Sequence, residues 1–416
     1  MNWERSPAAR YLIFLWRFRF TTAGKWFVAG LMLSSMFGSA SVEIPIYQIF
    51  CTLAAFFFID RQFGYALRPN LSITHATSDR TTAGETFNVE LRLTNEGRRS
   101  AFALQAGFFD LPRGITALGS EISPETTVGD LLPGESVATS VRLKAERRGI
   151  YTLPKPRGYS TFPFHLFRDG RCRSEPLSVL VLPHFDPIDR IELPVGARYQ
   201  PGGIALTSNV GESPEYIGNR EYVAGDSIRR IDYRSWARLG RPIVREYQEE
   251  YYCRIALVLD TFVPSGVKEP RQGFANLEAA VSLSASIADA LSRGEYLIDL
   301  FAAGPELYVF RTGRHTAHFE NVLEIVAGVD ACRQNPFTTV APALADELTN
   351  ISTVVGVFLD WDDSRRELVR TALEHGCCVK IFIVRDGPTT LPIDREEAEI
   401  VQLGIADVNG GGLENL

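Results

Sequence analysis

The sequence predicts a multidomain α+β protein in three parts: an N-terminal transmembrane helical hairpin, an immunoglobulin-like β-sandwich, and an α/β domain on a doubly wound parallel sheet. Three observations predict it. Two uncharged apolar runs lie almost back to back near the N-terminus, at 26–42 and 44–59. Alternating strand-like segments, punctuated by turn residues at intervals of roughly ten positions, follow them. The C-terminal part then alternates continuous apolar runs with amphipathic stretches, the signature of buried parallel strands and covering helices.

At 416 residues the chain exceeds one ordinary core and calls for two or three domains. A formal charge of −7 argues against a general nucleic-acid binder, which carries a basic surplus. The six cysteines (Cys51, Cys172, Cys253, Cys332, Cys377 and Cys378) form no C-x-x-C pair. Reduced thiols in a cytosolic setting fit this better than a disulfide framework or a zinc knuckle.

Residues 1–68 read as a membrane anchor. The runs WFVAGLMLSSMFGSASV (26–42) and IPIYQIFCTLAAFFFI (44–59) are separated only by Glu43, with Pro45 just beyond. As helices they would give two short spans joined by a tight polar turn. Arg5, Arg10, Arg17, Arg19 and Lys25 precede the first run, Arg61 and Arg68 follow the second, and the turn has no basic residue. The positive-inside rule then places both ends, and the domains that follow, on the cytoplasmic side. The segment YLIFLWRFRF (11–20) mixes aromatics with arginine and could lie along a membrane interface or begin a longer tilted helix.

Residues 69–185 read as the sandwich. FNVELRLTN (87–95) and SVATSVRLKAE (136–146) alternate apolar and polar positions, and SVLVLP (178–183) reads as a closing strand. Gly84, Asn95-Glu96-Gly97, Pro112-Arg113-Gly114 and Pro133-Gly134 mark the turns between strands. The aromatic and basic stretch 147–167 reads as strand and turn edge, and its lone His165 as a packing or hydrogen-bonding residue.

Residues 186–250 join a Pro/Gly-rich linker to a segment dense in both charges, EYIGNREYVAGDSIRRIDYRSWARLGRPIVREYQEE (215–250). Arg230, Arg234 and Arg238 recur every four residues and would share one face of a helix, with Glu221, Asp226 and Asp232 as nearby partners. Such a segment can be a solvated, salt-bridged helix with loops, a pin between domains, or a docking site working through arginine–carboxylate pairs. It resembles the signature of the bacterial "domain of unknown function 58" family. The residues that carry the resemblance are Gly218, Arg220, Tyr222, Gly225, Asp226, Arg229 or Arg230, Ile231, Asp232, Ala237, Arg238, Arg245, Glu246 and Glu249, with Tyr233 where tryptophan is usual. The resemblance implies association with a MoxR-type AAA+ ATPase and a C-terminal domain of von Willebrand factor A type. It implies no catalytic activity.

Residues 251–416 read as that α/β domain. RIALVLD (254–260), STVVGVFLD (352–360) and CVKIFIV (378–384) are the buried strands, the last expected to close the sheet. Helices are expected over 276–294, 319–329, 340–348 and 365–375, and the chain end as a frayed tail. Asp260 and Asp360 fall at strand carboxyl ends, where such sheets bind ligands. A von Willebrand A domain holds a divalent cation there with D-x-S-x-S, a later threonine and a last aspartate. Here Asp260, Thr338 or Thr339, and Asp360 match, but Phe262 and Pro264 stand at the two serine positions and supply no side-chain oxygen. The cation site, possible only for Mg²⁺ or a similar ion, is therefore degenerate.

FLDWDDS (358–364) also offers the Asp360-x-Asp362 pattern of aspartate-dependent hydrolases and metal–nucleotide transferases, although little chain follows to complete such a site. No G-x-S-x-G, H-E-x-x-H or P-loop is present. The expectation is a non-catalytic protein-interaction factor at the bacterial inner membrane, two-pass, working with a MoxR-type ATPase and unknown clients in assembling or maturing a protein complex. The alternative is an aspartate- and metal-dependent hydrolase or transferase using the strand-end acids.

Overall fold

The computed structural model describes residues 13–38, 45–118, 125–194, 216–247, 254–270, 272–294, 296–303, 307–310, 318–393 and 398–411. The chain divides into two compact units: Met1–His184 with Glu269–Gly273, and Phe185–Lys268 with Phe274–Leu416.

The first unit opens with a π-helical turn, Leu15–Arg19, then helices α1 (Thr22–Gly38) and α2 (Pro45–Ala66). These helices correct the expectation of a two-pass membrane anchor: no described helix is long and apolar enough to cross a membrane. The reason lies in their length and in their charges. Helix α1 has 17 residues, which rise only about 25 Å against a hydrocarbon core of about 30 Å. Helix α2 is longer but carries Asp60-Arg61-Gln62 in its last turns, and these residues serve protein contacts. Asp60 is buried and accepts the Phe164 N–H at 2.9 Å, and Arg61 reaches Asp169 at 3.1 Å. Arg19 pairs with the same Asp169. Phe20 and Phe57 each pack against Phe167 with centroids 5.0 Å apart, the first tilted and the second edge-on. A Cβ on Gly24 would lie 2.1 Å from the Leu166 carbonyl oxygen, so this contact requires glycine. Arg19 and Arg61, read from the sequence among the orientation signals, thus hold this N-terminal segment to a loop of the β-domain. The inner-membrane location and the cytoplasmic facing inferred from them fall with the spans. The turn at Glu43 lies outside the described residues.

The β-domain is a sandwich. Its larger sheet, in the order β10-β1-β3-β7-β5, comprises β1 (Asn70–Ala76), β3 (Thr86–Asn95), β5 (Ile115–Ala117), β7 (Ser136–Ala145) and β10 (Arg171–Arg173). Two three-stranded sheets complete it: β2 (Arg80–Thr82), β11 (Leu177–Leu182) and β8 (Gly149–Leu153), and β6 (Glu125–Leu131), β4 (Ala101–Gly107) and β9 (Arg157–Ser160). Strand β3 buries Phe87, Val89, Leu91 and Leu93 and exposes the residues between them, the period-two alternation of a half-buried strand. Its partner β7 runs antiparallel in the register Val89↔Val141.

The second unit holds a mixed six-stranded sheet in the order β16-β15-β14-β17-β18-β19. Its strands are β14 (Arg254–Leu259), β15 (Leu297–Ala303), β16 (Leu307–Phe310), β17 (Thr353–Phe358), β18 (Cys378–Val384) and β19 (Glu399–Leu403). All neighbours are parallel except the edge pair β15–β16. The central strand β14 shows why: Ile255, Leu257 and Leu259 enter one apolar cluster, while Ala256 and Val258 enter another. A strand buried on both faces has no polar side to alternate with. Helices α4 (Ala275–Arg293), α5 (His318–Gly328) and α8 (Ile405–Asn409) contribute to the first cluster, α6 (Phe337–Ala345) and α7 (Asp363–Glu374) to the second. The chain end differs from the frayed tail read in the sequence. EIVQL forms the sixth strand, with Ile381↔Ile400 in register. Five residues at a sheet edge carry too weak a pattern to be read in isolation.

Two further segments belong to this unit. Residues 185–194 form a strap along the α/β core. Ile188 is buried in it, and the Asp186, Ile188, Glu192 and Pro194 carbonyls accept from Ser286, Arg293, Lys380 and Thr353. The charged signature segment folds as a hairpin with a short helix, β12 (Tyr216–Glu221), α3 (Tyr233–Leu239) and β13 (Ile243–Tyr247).

Candidate functional site

Two places in the second unit gather the residues singled out by sequence: the signature hairpin and the carboxyl ends of β14 and β17.

In the hairpin, β12 and β13 pair antiparallel, with Gly218↔Glu246 and Arg220↔Val244 in register. Two aspartates organise what lies between. Asp226 accepts both Arg220 guanidinium nitrogens at 2.7 Å and the Val223 N–H at 2.9 Å, closing the turn that Tyr222 begins. Gly225 sits in that turn at φ 115, where a side chain would strain the backbone. The Arg220 hydrogen bonds, then the Val223 N–H, hold the Asp226 carboxyl down at about 2. Asp232 is the N-cap of α3, accepting the Arg234 and Ser235 N–H groups at 3.1 and 3.4 Å. It also takes the Ser235 hydroxyl at 2.8 Å, the Asn219 amide at 3.3 Å and Arg245 at 3.5 Å. With the Ser235 hydroxyl as the leading cause, its pKa also falls to about 2. Gly240, at φ 68, ends the helix in the left-handed conformation.

The arrangement redistributes the roles read from the sequence. Arg230 lies in a 3₁₀ turn, Ile228–Arg230, and only Arg234 and Arg238 share the helix. The acids pair with Arg220, Arg241 and Arg245 instead. Arg229, Arg230, Arg234 and Arg238 are exposed. Among the described residues none of these four enters an ion pair, although Arg230 adds to the field that lowers Asp226. No residue of α3 is buried, and Tyr233 and Trp236 stack on its surface at 6.1 Å. Glu249 lies outside the described residues.

At the other place, β14 is flanked by β15 and β17, so the strand order reverses there, the usual position for a ligand crevice. Asp260 is fully buried at this point. Its Oδ2 accepts the Leu359 N–H at 2.8 Å and the Arg365 Nε and Nη2 at 2.9 and 2.6 Å, and its Oδ1 accepts the Phe262 N–H at 2.9 Å. Burial pushes the Asp260 carboxyl up, and the Arg365 charge opposes that push. Arg365 is itself 1% exposed. It also pairs with Asp362 and lies 5.0 and 5.9 Å from the Phe337 and Phe262 rings. Asp360 is committed as well. It accepts the Thr390 N–H and hydroxyl at 2.9 and 2.8 Å and faces Arg385 at 2.7 Å. Desolvation raises its pKa, but the Thr390 hydrogen bonds leave it net below the ordinary value. Thr338 and Thr339 donate to the Asn335 and Pro336 carbonyls of their own turn at 2.9 Å.

This donor set does not fit a divalent cation. The carboxylate that would anchor the ion already holds a guanidinium, and the two threonines are spent locally. Among the described residues no cluster of three His, Cys, Asp or Glu could hold a metal. The Asp360-x-Asp362 pair does not converge either, since Asp362 caps α7 through the Arg365 N–H at 3.1 Å. Arg365 was missed at the sequence level, yet a signal was present. It lies three and four residues before Leu368 and Val369 on the face that α7 buries, and a buried arginine needs an acid.

No curated protein matches the chain. Among solved structures, a CARDB domain from Pyrococcus furiosus aligns over 27% of this chain and 94% of its own, at 13% identity and TM-score 0.19. A cohesin module of a Clostridium perfringens family 33 glycoside hydrolase aligns over 27% and 97%, at 12% identity and TM-score 0.20. A PKD domain of an M14-like peptidase from a Thermoplasmatales archaeon aligns over 27% and 94%, at 16% identity and TM-score 0.17. Scores this low carry no argument about function. Residues 218–401, which take in most of the hairpin and of the α/β core, match the family described as "Protein of unknown function DUF58".

Proposed function

We propose that this protein is a non-catalytic protein-interaction factor, working with a MoxR-type AAA+ ATPase in the assembly or maturation of a protein complex. The observation that carries the reading is the internal neutralisation of the strand-end acids: Arg365 holds Asp260, and Arg385 with Thr390 holds Asp360. General acid–base or nucleophilic work needs a carboxylate free to meet substrate. Here the carboxylates tie strand ends to helix α7 and to the loop at Thr390. The sheet order, antiparallel edge strand and covering helices on both faces support a von Willebrand A-like domain whose cation position is taken by the chain's own guanidinium.

The test is affinity capture of the tagged full-length chain from its native host, compared with an Arg229→Ala/Arg230→Ala/Asp232→Ala variant. The expected result is an AAA+ ATPase recovered with the unsubstituted protein and lost with the variant. Recovery of no ATPase with the unsubstituted protein would overturn the reading.

A further inference from the structure

Helix α2 meets the loop 160–170 of the β-domain through two carboxylates, and only one of them is given counter-charges. Asp169, on the loop, is 1% exposed and takes both Arg19 and Arg61. Asp60, on the helix just before Arg61, is also 1% exposed. Its Oδ1 accepts the Phe164 N–H at 2.9 Å, and its Oδ2 has no hydrogen-bond partner among the described residues. One turn further on, a Cβ at Gly64 would lie 2.8 Å from Asp169 Oδ2 and 3.7 Å from the Phe162 carbonyl oxygen. The helix is thus pressed against the loop, and the two acids share one narrow contact.

No arginine of the neighbouring elements is left for Asp60. Arg61 spends Nη1 on both Asp169 oxygens, at 3.2 and 3.1 Å, and lies over the Phe167 and Tyr65 rings. Arg19 reaches Asp169 and the Arg168 carbonyl. Arg168 itself turns to the Phe18 and Phe20 carbonyls and to the Phe109 and Tyr159 rings. Arg68 lies over the Tyr65 ring at 4.5 Å. The charges that act on Asp60 are Asp169, which opposes its ionisation, and His165, which favours it; Lys25 of α1 is not among them. His165 is exposed, with Nδ1 at 2.7 Å from the Thr161 hydroxyl. Burial pushes the Asp60 carboxyl up, the Phe164 and Leu166 N–H groups pull it down, and Asp169 pushes it up again, with a net result above the usual range.

We infer that Asp60 makes this contact an acid-tightened clasp: on acidification it takes up a proton and the helix grips the loop more firmly, whereas the ionised side chain loosens the grip. A charge buried without a partner is the state that folding resists, and a proton removes it. An asparagine would accept the same Phe164 N–H with no charge at all. The acid therefore adds a pH response to the contact and no extra bond. A carboxyl raised in the folded state gives its full stabilisation below the unfolded pKa and loses it as pH rises through the folded one. The clasp accordingly weakens from the ordinary aspartate range upward. Asp226 and Asp232 of the signature hairpin run the other way, because their carboxyls are depressed. A fall in pH thus firms one attachment in the first unit and weakens the hairpin of the second.

The test uses the full chain. Carboxyl ¹³C shifts of the aspartates are followed from about pH 3 to about pH 8, the Asp60 resonance being the one absent from Asp60→Asn. It should titrate above the ordinary aspartate range. The strength of the clasp is read from amide exchange at Thr21 and Arg168, corrected for the intrinsic effect of pH. These amides donate to the Leu166 and Arg19 carbonyls across the contact and do not touch Asp60. In the parent, their protection should rise about threefold or more between about pH 7 and about pH 5. In Asp60→Asn it should be the same at both, and at the neutral end greater than in the parent. Asp169→Asn should lose protection at both, because Arg19 and Arg61 lose their shared partner. An Asp60 carboxyl that titrates at or below the ordinary range would overturn the inference. So would parent protection that stays flat or falls with acid, or an Asp60→Asn variant that keeps the parent's pH response. The exchange measurement needs only the parent protein, so it decides the matter even where a variant does not fold.

Discussion

The two acid–arginine constructions of the second unit use the same functional groups and differ in almost everything else. Asp260 and Arg365 meet in the interior, 0% and 1% exposed, at the point where the sheet reverses its order. Asp226 and Arg220 meet at the surface with comparable geometry, two contacts at 2.7 Å. In the interior each partner exists to neutralise the other, and the pair is a condition for folding rather than a source of stability. At the surface water screens the pair, and its contribution is geometric: it sets a turn and leaves neighbouring arginines free to act outward. Burial, not bond length, decides whether an ion pair closes a site or shapes one.

The comparison can be broken most forcefully at Arg365. Arg365→Met leaves the Asp260 carboxylate buried without a counter-charge and should lower unfolding free energy by about 3–5 kcal/mol in chemical denaturation. Asp260→Asn/Arg365→Met should lose clearly less than the single variant, since no orphan charge remains. A single variant within about 1 kcal/mol of the parent would show that Asp260 does not depend on the guanidinium. Gly225→Val comes next. Forcing a β-branched side chain into φ 115 should strain the hairpin by about 1–3 kcal/mol, seen as faster amide exchange at Val223. Asp226→Asn should have a still smaller effect, at most about 1 kcal/mol, and again confined to the hairpin in exchange measurements.

The pH dependence sharpens the same contrast. In the folded protein the Asp226 and Asp232 carboxyls are held down to about 2, below the ordinary aspartate range. A depressed carboxylate stabilises the folded state above its unfolded pKa and loses that contribution as pH falls through the folded one. Hairpin resonances should therefore hold constant down to about pH 4 and change between about pH 4 and pH 2. The smallest expected effect is none. Calorimetric titration of the full chain with Mg²⁺ or Mn²⁺ should give no binding heat, because Arg365 occupies Asp260 Oδ2 and the Phe262 N–H occupies Oδ1. Tight binding would return the strand-end site to the cation-dependent kind.

How far the sequence could be read depended on whether a residue's environment was local. The strands of the α/β core were legible because Arg254–Leu259, Thr353–Phe358 and Cys378–Val384 are buried on both faces and so are nearly all apolar, Lys380 being the one charged residue inside them after the leading Arg254. The alternation of β3 declared its one buried face equally well. The hairpin's outline was legible from its motif, but its pairing was not. Arg230, Arg234 and Arg238 have helical spacing, yet Asp232 starts the helix only at Tyr233 and assigns the acids to Arg220, Arg241 and Arg245. The N-terminal helices misled for the opposite reason. Hydropathy registers apolar side chains, but it cannot register that Asp60 and Arg61 meet Phe164 and Asp169 about a hundred residues away. Arg365 belongs to the same class, since its partner Asp260 is 105 residues distant.

The strap at 185–194 changes what counts as a domain in this chain. Because Ile188 fills a place in the α/β core and Lys380 and Thr353 donate to strap carbonyls, excision at Arg254 would open an apolar slot and leave the buried Lys380 ammonium with Glu399 as its remaining partner. The α/β unit therefore begins at Phe185 rather than at Arg254, with the signature hairpin lying between these two points of the chain.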